Sequence, residues 1–359
     1  MILQIPEKAG FGNTPLNCPK KCRTQVSIGW LDGIIEFDDA SQLKAVVDYL
    51  CGKNVIGDVA LWLDDPFIKG ERYEKSIRTV CGVAIGYNEP APKEGRKGRA
   101  RISIPARALD RMTIHNVWMM CITLKLLYKF RATRIDISLD FYDYPKLIKL
   151  VEQAGRKRNF SGRDRYFPMQ PMGERDGKWQ MTGNTHYFGS LKSDKMLRVY
   201  DKNLESKGEK NCIRWELQLR RGYAQRVFED FTIIDMDSFD ELYHNYLAGV
   251  ALGVYRFVDR KSGDRLSRQD ELKWYEELAQ FVANPLPISK AKRETSLGKS
   301  MGWIIRSIMP TLVMIEGALG KRNFQDWMSV SMRKARERLT PMQKLTMQHW
   351  VIQGDSPAC

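Results

Sequence analysis

Three stretches of this chain obey one rule. In RIDISLD (134–140) the apolar Ile135, Ile137 and Leu139 alternate with Arg134, Asp136, Ser138 and Asp140. In MLRVYDK (196–202) Leu197 and Val199 oppose Arg198, Tyr200 and Lys202. In IRWELQL (213–219) Ile213, Trp215, Leu217 and Leu219 oppose Arg214, Glu216 and Gln218. Successive side chains of a strand point to opposite faces. Period-two alternation therefore predicts three half-buried strands, each with an apolar side for a core and an ionic side turned elsewhere.

If the three lie in one sheet, Asp136, Asp140, Glu216 and Tyr200 project from the same face. Two readings fit that arrangement. Carboxylates and cations on the wet face of a sheet are ordinarily balanced as cross-strand pairs. Alternatively, the carboxylates hold a hard divalent cation, Mg2+ or Mn2+, which prefers oxygen ligands, and Tyr200 attacks a phosphodiester beside it. A phenol with a free pKa of about 10 is a poor nucleophile near neutrality, so cationic neighbours or a metal would have to assist.

Around these strands the sequence predicts further elements. GWLDGIIEF (29–37), VCGVAIGY (80–87) and RARISIPA (99–106) read as strands, while DASQLKAVVDYLCG (39–52) and residues 114–130 carry apolar residues at helical spacing. Residues 155–180 are Gly-rich and basic, with Phe160, Tyr166, Phe167 and Trp179 interleaved. This predicts an exposed loop, either merely solvated or suited to single-stranded nucleic acid, where charge tracks phosphates and rings stack on bases. From about 222 onward the pattern is helical, including 266–282 opened by Ser267 with Asp270 three residues on, and 284–300 reads as a linker. The expected class is α+β, an antiparallel-sheet catalytic domain over 1–250 followed by a helical region over 251–359.

Charge narrows the partners. Among 359 residues, 58 Lys and Arg face 43 Asp and Glu, an excess of 15 positive charges that suits nucleic acid or an anionic membrane face. The most apolar run, 301–319, contains Arg306, Pro310 and Glu316, which predicts a core helix rather than a membrane span. The opening residues MILQIPEKAG lack a basic leader with an apolar stretch, so the expectation is a cytoplasmic protein with no membrane partner. Seven scattered cysteines argue against a disulfide scaffold; Cys18 and Cys22 lack a second ligand pair, and the four histidines form no zinc-type spacing. The basic KAKR (290–293) and RKARER (333–338) suit phosphate contacts.

The order and wording of the segments resemble the Rep_trans-type family of rolling-circle replication initiators, which takes in plasmid initiators, conjugative-element relaxases and replication proteins of filamentous phages. The likeness is strongest to the initiators of filamentous vibriophages. It rests on R-x-D-x-x-x-D at 134–140, Y-x-G-S-x-x-S-x-x-x-x-R-x-Y-x-K at 187–202 and R-x-E-L-x-L at 214–219, in that order. The resemblance implies a site-specific nickase of an α+β fold, acting in the cytoplasm of a bacterial host. Tyr200 would attack one strand at an origin, keep the 5′-phosphate as a phosphotyrosine and leave a 3′-hydroxyl primer, with Tyr187 as the other candidate nucleophile. Asp136, Asp140 and Glu216 would hold Mg2+ or Mn2+. Arg198, Lys202, Arg214, Lys192 and Arg134 would contact the DNA, Arg198, Lys202 and Arg214 as a clamp on the scissile phosphate. The implied partners are origin DNA (a single-stranded or cruciform-like nick site with flanking duplex), host helicase and polymerase, and a second copy in a homodimer. A mobile-element relaxase with the same chemistry, or a non-catalytic DNA-binding regulator on the same fold, is the alternative.

Overall fold

The alternation in the three stretches is realised as three adjacent strands, β6 (Arg131–Phe141), β12 (Ile213–Arg220) and β11 (Lys195–Asp201), paired antiparallel in that order. Ile135, Ile137, Leu139, Trp215, Leu217, Leu219, Leu197 and Val199 are all fully buried on one face. The computed structural model that shows this describes residues 23–288, apart from 54, 65–72, 93–94, 162–164, 176–177, 191, 207, 261–268 and 284, and then residues 301 and 304–338. Cys18, Cys22, Ser267, KAKR and most of the expected linker lie outside the described residues.

Seven further strands complete one antiparallel sheet: β1 (Thr24–Phe37), β2 (Ala60–Leu63), β3 (Lys75–Thr79), β4 (Ala84–Asn88), β5 (Gly98–Pro105), β7 (Tyr166–Met169) and β10 (Thr185–Gly189). The order is β2-β3-β4-β5-β1-β6-β12-β11-β10-β7. A separate hairpin, β8 (Met172–Arg175) with β9 (Lys178–Met181), is inserted between β7 and β10. Residues 155–180, expected as a loop, are thus largely hairpin, and their aromatics divide. Phe160 is buried and Tyr166 half-buried, whereas Phe167 and Trp179 are exposed. The strand expected over 80–87 begins only at Ala84, because Thr79 to Val83 fold into a turn in which Thr79 Oγ1 accepts from the Val83 amide at 3.0 Å.

Helices cover the apolar face. In chain order they are α1 (Ala40–Cys51), α2 (Ala106–Leu109), α3 (Ile114–Tyr128), α4 (Lys146–Arg156), α5 (Lys202–Glu205), α6 (Gly222–Thr232), α7 (Phe239–Gly253) and α8 (Lys273–Val282). The longer ones bury a stripe at helical spacing, as with Leu147, Ile148, Val151 and Ala154 of α4 or Ala224, Val227, Phe228 and Phe231 of α6, whereas the single-turn α5 buries none of its residues. Asp39 starts α1 by accepting from the Ser41 and Gln42 amides. The helix expected from 266 begins at Lys273, since Glu271 bridges to Val258 in an extended pairing.

The chain divides into two compact units, Met1–Ala291 and Lys292–Cys359. The first extends past residue 250, where the catalytic segment was expected to end, because later residues complete its core. The Trp215 indole donates to Ala251 O at 3.0 Å, the Tyr255 hydroxyl to Lys195 O at 3.1 Å, and the Tyr275 hydroxyl to Leu252 O at 2.7 Å. Gly253 lets the segment at Leu286 lie against α7: a Cβ there would stand 2.1 Å from Leu286 O. In the second unit α9 (Met309–Leu319) packs with α10 (Lys321–Glu337). The core helix expected over 301–319 is corrected here: α9, which spans its described second half, buries none of its residues. Arg333, Lys334 and Arg336 are exposed on α10. Among the described residues no helix is long and apolar enough to cross a membrane.

His186 on β10 sits on the buried face, its Nδ1 3.0 Å from the Tyr166 hydroxyl and its Nε2 buried without a partner among the described residues. Burial lowers its pKa. Protonation would place an unpaired N–H inside the core. The stability that neutral His186 contributes is therefore full above its unfolded value of about 6.5 and is lost as pH falls below that toward the folded value. Between about pH 7.5 and pH 5 the wild type should lose more stability than His186→Phe, read as the difference of two urea-denaturation midpoints for each protein.

Candidate active site

The opposite face of the sheet carries the ionic residues in rows set by strand register. One row runs Thr185, Tyr200, Arg214, Asp140 and Gln25 across β10, β11, β12, β6 and β1. The next runs Phe167, Tyr187, Arg198, Glu216, Ser138 and Ser27, starting from β7. A third holds Met196, Gln218, Asp136 and Trp30, and a fourth Arg220, Arg134 and Asp32. Directly opposed residues share a face, so antiparallel pairing delivers all the predicted strand residues to one surface.

Trp30 reaches this surface through a bulge. The register with β6 shifts between Ile28 and Trp30, leaving Gly29 as the extra residue, where a Cβ would meet Ser138 Oγ at 2.9 Å. Ile28 and Leu31 consequently point into the core while Trp30 and Asp32 point to the ionic face. The Arg134 guanidinium lies over the Trp30 ring, 4.6 Å from its centroid, and the indole donates to Asp32 Oδ1 at 2.6 Å. Arg101 donates to Asp32 Oδ2 at 3.1 Å. Neither Trp30 nor Asp32 stands out in the sequence, because the bulge breaks the alternation that marks the other strands.

The carboxylates form the buried layer. Asp136 is 1 % exposed, Asp140 4 % and Glu216 9 %, and each is covered by a guanidinium. Arg134 forks onto Asp136 through Nε and Nη2 at 2.9 and 2.6 Å, and Gln218 adds a donor at 3.3 Å. Arg214 forks onto Asp140 at 2.6 and 2.7 Å. Arg198 bridges Glu216 Oε1 and Asp136 Oδ2 with one Nη2, the second contact at 3.4 Å. Burial raises the Asp136 pKa against the pull of Arg134. Burial also works against the charge of Arg214, but the Asp140 bonds outweigh it and raise its pKa.

Tyr200 closes the group. Its hydroxyl donates to Glu216 Oε2 at 2.9 Å, and it lies directly opposite Arg214. Burial first, then the negative charge of Glu216, holds the phenol pKa well above its ordinary value, with Arg214 pulling the other way. Arg198 Nε and Ser138 Oγ, on either side of Glu216 in the second row, are buried without a partner among the described residues.

The remaining predicted residues separate. β11 ends at Asp201, so Lys202 opens α5 instead of continuing the strand; it pairs with Glu205 at 2.5 Å and stays 5.7 Å from the Tyr200 ring centroid. Lys192 lies in the turn between β10 and β11, at the far end of β11 from Tyr200, and is exposed. Asp140 stands four residues along β6 from Asp136, roughly 13 Å at strand rise, so the three carboxylates do not converge. Among the described residues no three His, Cys, Asp or Glu side chains are grouped to hold a metal ion. Asp136 and Glu216 alone fit a cation, since both reach the same Arg198 nitrogen, and magnesium is commonly held by one or two carboxylates plus substrate phosphate.

The family model for replication initiation factors, Rep_trans, matches residues 130–331, more than half of the chain. The chain belongs to that family. The matched span takes in β6, β11 and β12 and excludes Trp30, Asp32 and Arg101. The chain is 28 % identical over 225 residues to a Bacillus subtilis (strain 168) protein named "Putative DNA relaxase NicK", covering 54 % of this chain and 56 % of that protein. It thus spans a little over half the length of that relative. It is also similar in fold to a solved rolling circle replication initiator protein from Geobacillus stearothermophilus, with a TM-score of 0.55 and 18 % identity over 75 % of this chain and all of that one.

Within this initiation-factor site the buried pairs should be costly to break singly. Asp140→Ala leaves the Arg214 charge uncompensated and should destabilise the protein by about 3–5 kcal/mol. Lys44→Ala, which removes an exposed pair with Asp48, should cost no more than about 0.5 kcal/mol. Chemical denaturation of the two variants checks the contrast.

Proposed function

We propose that the protein is a strand-nicking initiator whose nucleophile is Tyr200, and that it acts on origin DNA as a rolling-circle replication initiator. The observation carrying this reading is the Tyr200 hydroxyl bonded to Glu216 at 2.9 Å inside a frame of arginines. Glu216 takes the phenolic proton as the phenolate oxygen attacks the scissile phosphorus. The new O–P bond forms as the P–O3′ bond breaks, and the leaving oxygen takes a proton from solvent to become a 3′-hydroxyl. The 5′-phosphate stays on Tyr200. Arg198 and Arg134, partly exposed beside their carboxylates, face the phosphate. Low surrounding dielectric strengthens these contacts on the developing charge.

If Mg2+ or Mn2+ binds, Asp136 and Glu216 would hold it, and it would neutralise charge on the phosphate as it becomes pentacovalent. The freed 3′-hydroxyl is the end a host polymerase would extend and the opened strand the place a helicase would load; pairing of two copies belongs to the same proposal. Likeness to the relaxase-named protein favours a second reading, transfer or excision of a mobile element, served by the same chemistry.

Tyr200→Phe should abolish a protein–DNA adduct that survives denaturation, on supercoiled DNA carrying the candidate origin with Mg2+ or Mn2+, while Tyr187→Phe keeps it. Glu216→Gln should slow nicking by about 10²–10⁴-fold. An adduct persisting in Tyr200→Phe moves the nucleophile to another tyrosine, and binding without nicking by the wild type supports a non-catalytic regulator.

A further inference from the structure

Beside Tyr200 the ionic face ends in a pair of aromatic rings. Phe167 of β7 and Tyr187 of β10 are directly opposed and stack with centroids 4.6 Å apart and planes 5° from parallel. Tyr187 is in turn directly opposite Arg198, whose guanidinium contacts the carboxylate that holds the Tyr200 hydroxyl. Tyr187 is the diagonal neighbour of Tyr200 across the two strands, about 7–8 Å away, so the ring pair begins about one nucleotide from a phosphate placed at Tyr200. Phe167 is 38 % exposed and lies on the last strand of the sheet, so among the described residues no further strand lies beside the ring face turned from Tyr187.

The pair is held rigidly from beneath. Tyr166, the preceding residue, turns to the core, where its hydroxyl meets His186 and its ring packs at 5.2 Å from Phe188. Phe188 is fully buried against Phe160 and Phe257. A fixed aromatic slab at the open edge of an arginine-lined surface is the arrangement that recognises an unstacked base: cations track the backbone, and every base has a π-face to lay on a ring. A packing role alone would not require the rings to sit on the solvent side while three neighbouring aromatics fill the core.

We infer that Phe167 and Tyr187 form a stacking platform for a base of single-stranded DNA next to the scissile phosphate, with Tyr187 serving as a positioning residue and not as the nucleophile. This rests on the nicking reading for its location, but its test is independent of nicking. An oligothymidine carrying one central 2-aminopurine, whose fluorescence falls when it stacks, is titrated with the wild type, Phe167→Leu, Tyr187→Leu, Tyr187→Phe and Tyr200→Phe.

The wild type, Tyr187→Phe and Tyr200→Phe should quench the probe alike. Both leucine variants, which keep apolar bulk on the strands, should lose the quench and bind about five- to hundredfold more weakly, the range for one lost base–ring stack. Thermal melting shows whether they remain folded; should either unfold, Phe167→Tyr and Tyr187→Trp, which retain a ring, must quench as the wild type does. Leucine variants that melt like the wild type and still quench and bind like it overturn the platform, as does a wild type that leaves the probe unquenched. Quenching by a wild type that forms no covalent adduct on origin DNA would instead sink the nicking reading and leave the platform standing.

Discussion

Charge burial governs this molecule. Asp136, Asp140 and Glu216 lie near the middle of a ten-stranded sheet, where an unpaired carboxylate would be strongly unfavourable. Each can remain there only because a guanidinium is set against it: Arg214 is directly opposite Asp140, Arg198 directly opposite Glu216, and Arg134 reaches Asp136 from two residues back on β6. The requirement runs both ways. The carboxylates fix long, otherwise flexible arginines in single orientations, so a surface that meets phosphate is preorganised from below. The same contacts hold Tyr200 with its proton directed at Glu216.

How much of this the amino-acid order discloses depends on whether alternation survives. In β6, β11 and β12 it does, and the faces and the core residues follow from period two, while the grouping of Tyr200 with Glu216 follows once the strands are paired in one sheet. In β1 it does not. Gly29 inserts one residue, and Trp30 and Asp32 look like any other members of a hydrophobic strand until the register is seen. Strand β7 and the hairpin at 172–181 are hidden for a different reason: Gly, Pro and charged residues make up much of 166–181, so the pairing of short strands overrides weak local preference. Alternation also says which face a carboxylate occupies but not how far along the strand it stands. Asp136 and Asp140 share a face and still serve separate arginines.

Family membership and site geometry speak to different questions. Membership rests on the match across 130–331 and gives the broad class, replication initiation factors. The geometry concerns a smaller matter, the immediate surroundings of one phenol. The three acid–arginine pairs also leave the centre nearly neutral despite an overall excess of 15 positive charges. Long-range attraction for a polyanion must therefore arise elsewhere on the surface, while the centre contributes directional hydrogen bonds.

Gly29 bears on how such a chain can change over time. With Gly29 deleted, Ile28 and Trp30 would become consecutive and would still stand opposite Ile137 and Asp136, so the strand would lose its bulge and keep both faces. The tryptophan would stay under Arg134, and Leu31 would stay in the core. A single-codon deletion at the bulge can thus be absorbed, whereas one at Leu31 would turn Asp32 into the core. Descendants of this sequence are accordingly free to lose the extra residue at Gly29, while the length from Trp30 to Asp32 stays locked to that of β6.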